Sequence, residues 1–325
     1  MRAIVRDVYG GPDVLRVEEV PIPQATGDKV LVRVRAAGVD RGVWHLMTGM
    51  PRVVRVALGL RRPRQRQLGM DLAGVVEAVG PQVSGVRPGD RVYGAGVGAI
   101  AEFAVAKAKL LAPAPANLTF EQAAALPTSG TTALQMIRDA GKVQPGHRVL
   151  IIGAGGGVGS YAVQLAKAFG AHVTGVCSTS KVDFVRALGA DEVVDYTVMD
   201  PLSGAAGRYD VILDIAGNRP LSLLRRAIGP TGALVLVGGE EGGAFLGGLE
   251  RNLQAKIAAP WTKQKLRAPI SLNNQKDLQT LRDLAEAGTL TPAVAKAYPL
   301  EDAAQAIADL EAGRVAGKAV VSVSG

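Results

Sequence analysis

The stretch Arg148 to Gly170, RVLIIGAGGGVGSYAVQLAKAFG, reads in unbroken succession as a buried strand, a glycine turn and a helix. Val149 to Ile152 form a short β-branched and apolar run just after the turn pair Pro145-Gly146, as expected of a central parallel strand covered on both faces. Glycines fill positions 153, 155, 156, 157 and 159, and from Ser160 the residues Ala162, Val163, Leu165, Ala166 and Phe169 follow helical spacing until Gly170. The turn therefore faces a helix N-terminus, whose unpaired N–H groups and dipole favour an anion. Residues without Cβ let that anion approach the backbone.

The common dinucleotide fingerprint G-x-G-x-x-G places Val158 in its third glycine position when started at Gly153; what fits is Gly153-x-x-Gly156-x-x-Gly159. The candidate pyrophosphate contacts are thus Gly153, Gly156, Gly157, Val158 and Gly159. A tight turn with no ligand is the alternative, and the flanking strand, helix and second βα unit argue against it. The next strand, His172 to Val176, runs into Cys177-Ser178-Thr179-Ser180-Lys181, with no Asp or Glu from Gly153 through Val182. An NAD site usually places a carboxylate near here to hold the ribose hydroxyls. Small hydroxyls followed by a cation suit a 2′-phosphate instead, so the expected cofactor is NADP(H), with Lys181 read otherwise as a solvated residue of the next helix.

At 325 residues the chain exceeds the size at which one core keeps growing, so two domains are expected. The amino terminus MRAIVRDVYGG lacks the apolar core of a signal peptide and no apolar run approaches a membrane span, so a cytoplasmic protein without a membrane partner is expected. The single cysteine, Cys177, excludes an internal disulfide and any zinc site built on two or more thiolates. The formal charge of +8 is local: Arg52 to Arg66, RVVRVALGLRRPRQR, holds six arginines and no acid, and without those six the charge falls to +2. This concentration, with almost no aromatics for stacking, argues for one basic loop and against a nucleic-acid face.

Residues 1 to about 118 alternate short β-rich runs with glycine and proline turns (Ala3–Val8, Leu15–Val20, Val30–Ala37, Leu72–Val79, Arg91–Gly94, Ala101–Leu111), which reads as a mainly antiparallel, barrel-like unit. From Phe120 helices and strands alternate, through strand Asp210–Asp214, helix Leu221–Ile228 and strand Ala233–Val237. That pattern predicts an α/β fold, a doubly wound parallel sheet with its ligand at the strand carboxyl ends. Gly239 to Gly248 reads as a mobile glycine-rich loop beside the cofactor, followed by a basic helical segment containing Trp261.

The marks Gly69-Met-Asp-Leu-Ala-Gly-Val-Val, Gly89-Asp-Arg-Val, Gly130-Thr-Thr-Ala, Gln164 and Lys167 on the helix after the glycines, Leu188-Gly-Ala-Asp, Asp195-Tyr196 and the closing Gly317-Lys318 resemble the zinc-independent quinone oxidoreductases, the zeta-crystallin-like group of the medium-chain dehydrogenase/reductase superfamily. The resemblance covers nearly the whole chain. It implies a Rossmann domain at residues 119–265 and a discontinuous GroES-like β-barrel domain at residues 1–118 and 266–325. It also implies a homodimer joined through the strand at Ala233–Val237.

Zinc-dependent relatives carry a cysteine where Asp40 stands, a histidine where Met70 stands and a four-cysteine lobe, all absent here, so no metal is expected. Without a Lewis acid, an acceptor that spreads charge by itself suits the site: a quinone, or an alkene conjugated to a carbonyl. Asp40 replaces the polar residue, usually asparagine, that the resemblance puts at the nicotinamide side, or else caps the following helix. Tyr93 is read as a proton donor or a core aromatic, and His45 as a proton relay or a packed histidine. Trp44 and Trp261 either wall an aromatic pocket or fill cores. By position in the matching motifs, Thr132 falls near the nicotinamide, Ser178 and Lys181 near the 2′-phosphate, Tyr196 near the adenine, and Asp214-Ile-Ala-Gly217-Asn218 along the ribose and nicotinamide, with the candidate cofactor glycines Gly238 and Gly239 closing the next strand end. The second reading is a non-catalytic or moonlighting NADPH-binding protein that meets RNA or an acidic partner through Arg52–Arg66.

Overall fold

The computed structural model describes residues 1–217, 219–239, 243 and 245–323, and divides into two compact units, 1–131 with 272–325, and 132–271. The division falls inside the helix Pro127–Gln135 and at residue 272, whereas sequence alone sets it at 118 and 266. The helix is continuous across that point, so no loop marks the boundary.

The first unit is a strongly curved antiparallel sheet built on one long strand, Lys29–Val39. Its amino-terminal half pairs with Phe103–Lys107, its carboxyl-terminal half with the last strand, Lys318–Ser322, and its other side with Asp71–Val79. Two partners on one edge, with register shifts opposite Asp71–Val79, bend the strand and curl the sheet. Arg91–Ala95 and Leu111–Pro113 continue it beyond Asp71–Val79, and Val294–Pro299 lies parallel beyond the last strand. The carboxyl terminus thus completes a domain begun at the amino terminus. Val30, Val32, Val34, Leu72, Met47, Ile100 and Ile307 fill its core.

The second unit is a six-stranded sheet, parallel throughout, in the order Glu192–Asp195, His172–Cys177, Arg148–Ile152, Tyr209–Asp214, Ile228–Leu236, Lys265–Arg267. Chain order reverses between Arg148–Ile152 and Tyr209–Asp214, which defines a switch point at the carboxyl ends of those two strands. Val149, Leu150, Ile151 and Ile152 are all buried, because the strand is covered on both faces, and each contributes about 1.5–3 kcal/mol.

Ile228–Leu236, which contains the predicted dimer strand, pairs with Tyr209–Asp214 on one side and Lys265–Arg267 on the other, so it has no open edge. The expected joining at Ala233–Val237 is thereby corrected: the outer strand is Lys265–Arg267, three residues too short to register as a strand in sequence. No helix among the described residues is long and apolar enough to cross a membrane.

Candidate functional site

In the second unit the glycine turn sits at the switch point. Gly153 has φ +91°, a left-handed conformation that side chains disfavour, and the 153–159 loop is held by Gly153 and Ala154 N–H groups donating to the Val176 carbonyl at 3.1 and 2.9 Å. A Cβ on Gly159 would lie 2.1 Å from the Gly153 carbonyl oxygen, so the helix can pack onto the turn only through a glycine here. At Gly156 the nearest atom to an added Cβ is 3.5 Å away, which leaves space above the backbone for a ligand. The helix runs Gly157–Ala168 with Gly156 as its N-cap, and that cap has no side-chain partner for the first-turn N–H groups. Its start lies three residues before the Ser160 read from sequence, since glycines in a first turn carry no apolar signal. Gly157 and Val158 are therefore first-turn residues.

Lys181 crosses the turn: a Cβ on Gly155 would meet its Cδ at 2.7 Å. It ends the short turn Thr179–Lys181, is half-buried, and burial lowers the pKa of its ammonium. Ser178 caps that turn and lies 3.4 Å from Ser180, oxygen to oxygen. Sequence reading missed one acid nearby. Asp195 pairs in register with Cys177 from the next strand and accepts from the Thr197 N–H and hydroxyl, which, with Thr179, hold its carboxyl below the usual range. The Tyr196 ring is half-exposed and its N–H bonds the Cys177 carbonyl at 3.1 Å.

The loop after Asp214 lies against the turn, with the Ile215 and Ala216 N–H groups both donating to the Ile152 carbonyl. Gly217, at φ +73°, approaches Gly238 and Gly239 so closely that a Cβ would fall 2.4 Å from the Gly238 oxygen. Buried Asp214 accepts from Gly217 N–H at 3.1 Å and pairs with Arg251 at 2.5 Å, an anchor that sequence reading missed. Asn218, and Glu240, Glu241, Gly242 and Ala244 of the glycine-rich stretch, lie outside the described residues. Thr132 is half-buried on the helix Pro127–Gln135. Trp261 is 86% exposed and fills no core.

In the first unit Asp40 ends the long strand and caps the helix Arg41–Thr48, its Oδ1 accepting from Val43 N–H at 3.2 Å. Tyr93 is corrected: it is fully buried, its hydroxyl donates to the Leu278 carbonyl, and burial pushes its pKa well above the phenol range. It is a core aromatic, with no proton to offer. His45 faces inward along its own loop, Nδ1 2.6 Å from the Met50 carbonyl, which fixes that nitrogen as the protonated one. No hydrogen bond among the described residues joins it to Asp40. Trp44 donates to Glu311 at 3.0 Å beneath the Arg41 guanidinium, so it is a packing residue.

Around Asp40 the structure gathers charges that sequence reading did not combine. Lys318, 1% exposed, places Nζ 3.8 Å from Asp40 Oδ2 and donates to Ser129 Oγ at 3.1 Å. Asp71, fully buried, accepts from both the N–H and the hydroxyl of Thr128, at 3.0 and 2.5 Å. Burial foremost, then the Asp40 carboxylate, pushes the Asp71 pKa up to about 8, against the pull of Lys318 and Thr128.

Residues 26–116 match the alcohol dehydrogenase GroES-like domain family and residues 188–321 the zinc-binding dehydrogenase family. The chain is 31% identical to the chloroplastic quinone-oxidoreductase QR1 of Triphysaria versicolor, over 99% of this chain and 98% of that one. It is 31% identical to the 2-methylene-furan-3-one reductase of Solanum lycopersicum, over 96% of this chain and 76% of that one. Its fold matches the Escherichia coli quinone oxidoreductase complexed with NADPH with a TM-score of 0.83 at 25% identity, over 99% and 100% of the two chains.

The zinc ion in the second family's description does not fit the residues present. Asp40 Oδ1 is taken by its helix cap, Oδ2 faces an ammonium that would repel a second cation, and both Asp71 oxygens are held by Thr128. Met70 contributes only a thioether beside Asp40, and among the described residues no three His, Cys, Asp or Glu converge.

Proposed function

The chain belongs to the medium-chain dehydrogenase/reductase superfamily, in its quinone-oxidoreductase-like group, and is an oxidoreductase; from that premise we propose that it passes hydride from NADPH, in preference to NADH, to a quinone or to an alkene conjugated to a carbonyl. The observation that carries the reading is the glycine turn at the switch point, open above Gly156, capped by an unpartnered helix N-terminus and crossed by Lys181. NADPH, when bound, supplies the hydride and its electron pair.

The chain's own residues bind and orient. Gly153, Gly156, Gly157, Val158 and Gly159 receive the pyrophosphate, and Ser178 and Lys181 the 2′-phosphate. Tyr196 flanks the adenine, while Thr132, Gly217, Gly238 and Gly239 lie along the ribose and nicotinamide. Lys181 supplies the cation that crosses the turn. The reaction runs without zinc. The protein works as a cytoplasmic homodimer without nucleic-acid or membrane partners, and an edge-to-edge pairing of subunits uses Lys265–Arg267.

The test is NADPH oxidation against a panel of quinones and conjugated enones, with and without chelator. Turnover of at least one acceptor, unchanged by chelator, is expected. Silence across the panel, or activity that zinc restores after chelation, overturns the reading.

A further inference from the structure

Asp214 ends the strand Tyr209–Asp214, is wholly buried, and ties together segments of the second unit that are distant in sequence. Its carbonyl accepts from the Val237 and Gly238 N–H groups at 3.0 and 3.3 Å, its Oδ1 from the Gly217 N–H at 3.1 Å, and its Oδ2 from Arg251 Nη2 at 2.5 Å. The same Nη2 donates to the Arg219 carbonyl at 2.7 Å. Around this point backbone lies on backbone: an added Cβ would fall 2.4 Å from the Gly238 oxygen at Gly217 and 2.7 Å from the Gly247 oxygen at Gly239. The Ile215 and Ala216 N–H groups both donate to the Ile152 carbonyl, one residue before the glycine turn. The guanidinium that closes this arrangement is unevenly used, since Nη2 makes both bonds while Nε and Nη1 are buried without a hydrogen-bond partner. A half-satisfied buried ion pair is a poor source of stability, because packed apolar side chains of similar volume commonly do as well or better. What it supplies here is position: Arg251 lies in the first turn of the helix Leu249–Ala258 and links that helix to Asp214.

We propose that Arg251 is a positioning residue for the cofactor: its ion pair with Asp214 clasps the wall made by residues 215–217 and 238–239 in the shape that receives the ribose and nicotinamide half of NADPH. This deepens the cofactor reading above and rests on it. The clasp acts on backbone. Asp214 holds Gly217 through Oδ1 and Gly238 through its carbonyl, and Arg251 holds the carboxylate that makes the first of these bonds. Without the guanidinium, a buried carboxylate loses its charge partner and must take up a proton or draw in water, and either change weakens its hold on the Gly217 N–H. Gly217, at φ +73°, then has no side chain to keep it in its left-handed conformation. The adenosine half of the cofactor falls to Ser178, Lys181 and Tyr196, which follow the strands His172–Cys177 and Glu192–Asp195 on the other side of Arg148–Ile152 in the sheet. Loss of the clasp should therefore reach one half of the cofactor and spare the other.

Two probes titrated into the full-length protein separate this role from folding. Adenosine 2′,5′-bisphosphate carries the adenine and the 2′-phosphate but lacks the nicotinamide half, so it reads the adenosine side alone. Arg251→Met should bind NADPH about tenfold more weakly than the wild type while its affinity for the bisphosphate stays within about twofold. Arg251→Lys keeps the charge and should retain most of the NADPH affinity. If Arg251→Met does not fold, Arg251→Gln carries the same comparison with a smaller loss. Unchanged NADPH affinity, or an equal loss of both probes in a variant that is folded by circular dichroism, overturns the proposal. Hydrogen exchange of the cofactor-free protein, read amide by amide, tests the clasp itself: the Gly217 amide should exchange about tenfold faster in Arg251→Met, with Leu150 and Ile151 unaltered. Equal exchange at Gly217 in the variant and the wild type also overturns it. Should the wild type bind neither probe, the cofactor reading fails and takes the positioning role with it, while the exchange measurement still decides whether Arg251 holds the wall.

Discussion

The glycine turn of the second unit and the charged cluster of the first keep their shape by opposite means. The turn does so with backbone: seven contiguous residues, 153–159, whose side chains matter chiefly by being absent. The cluster does so with full charges held in a core, drawn from positions 40, 71, 128, 129 and 318. The first should be intolerant of added volume and indifferent to pH; the second should tolerate volume but not a change of charge.

The sharpest way to break that contrast is Lys318→Met, which keeps length and burial and removes the charge. It leaves the buried Asp40 carboxylate without its cation and should cost about 3–5 kcal/mol in a urea denaturation series, whereas Asp71→Asn should cost far less. The same series has a pH signature. Asp71 titrates near 3.8 when unfolded and at about 8 when folded, so the native state keeps a proton that the unfolded state releases. Wild-type stability should therefore be greatest at low pH with respect to this group and decline as pH rises from about 4 through about 8. The expected loss is on the order of a few kcal/mol, and Asp71→Asn should lack that slope. Equal wild-type stability at pH 5 and 8.5, after subtraction of the variant, would remove the buried proton.

Volume should matter instead at the turn. Gly159→Ala drives a methyl to 2.1 Å from a carbonyl oxygen, with backbone on both sides, and is expected to cost about 3 kcal/mol by the same measurement. Gly156→Ala meets nothing closer than 3.5 Å and should fold normally while losing at least tenfold in NADPH affinity. If both alanines behave alike, the distinction between a packing glycine and a ligand-facing glycine fails.

The same contrast explains what the sequence could disclose. A contiguous strand, turn and helix carries its constraints within 23 residues, so the strand and the turn are readable, and only the helix start slips, from Gly157 to Ser160. The cluster depends on strands pairing across nearly the whole chain. Lys318 heads the run KAVVSV, where a lysine reads as the wet end of a strand, and only its partners Ser129 and Asp40 reveal a buried ammonium. Tyr93 stays open between proton donor and core aromatic in the sequence for the same reason: its hydroxyl partner, Leu278, lies 185 residues away. The open edge was misplaced because it depends on a three-residue strand with no pattern of its own.

Smaller in effect is the charge at the turn's far side. Lys181→Ala removes the one cation that crosses Gly155 and should reduce a preference of at least tenfold for NADPH over NADH, about 1.4 kcal/mol, toward parity. Fluorescence titration of both cofactors measures it. An unchanged ratio would assign the 2′-phosphate to other residues.

The smallest effect is expected at the basic segment Arg52–Arg66, whose six like charges should repel one another and leave it mobile. The structure corrects the self-repulsion. Arg55 stacks on Tyr9 at 4.5 Å and donates to Gly49 and Thr48, Arg66 pairs with Asp7 and Glu18, and the Tyr9 hydroxyl donates to Gly59 at 2.7 Å. These contacts tie the ends and middle of the segment to the first strands, so any movement is confined to the part between anchors. Val56 and Leu60 are 67% and 70% exposed there, while Val54 and Leu58 are half-buried and would confuse binding with stability if replaced. Val56→Ser with Leu60→Ser should therefore leave stability within about 0.5 kcal/mol. If these side chains cover a hydrophobic acceptor, its KM should rise several-fold with NADPH affinity untouched, because the lost contacts are to the acceptor alone. The exposed Arg52, Arg61 and Arg62 give an independent reading, since added salt should raise KM for an acidic acceptor and not for a neutral one. Unaltered acceptor kinetics in the double variant would leave the segment as anchored surface.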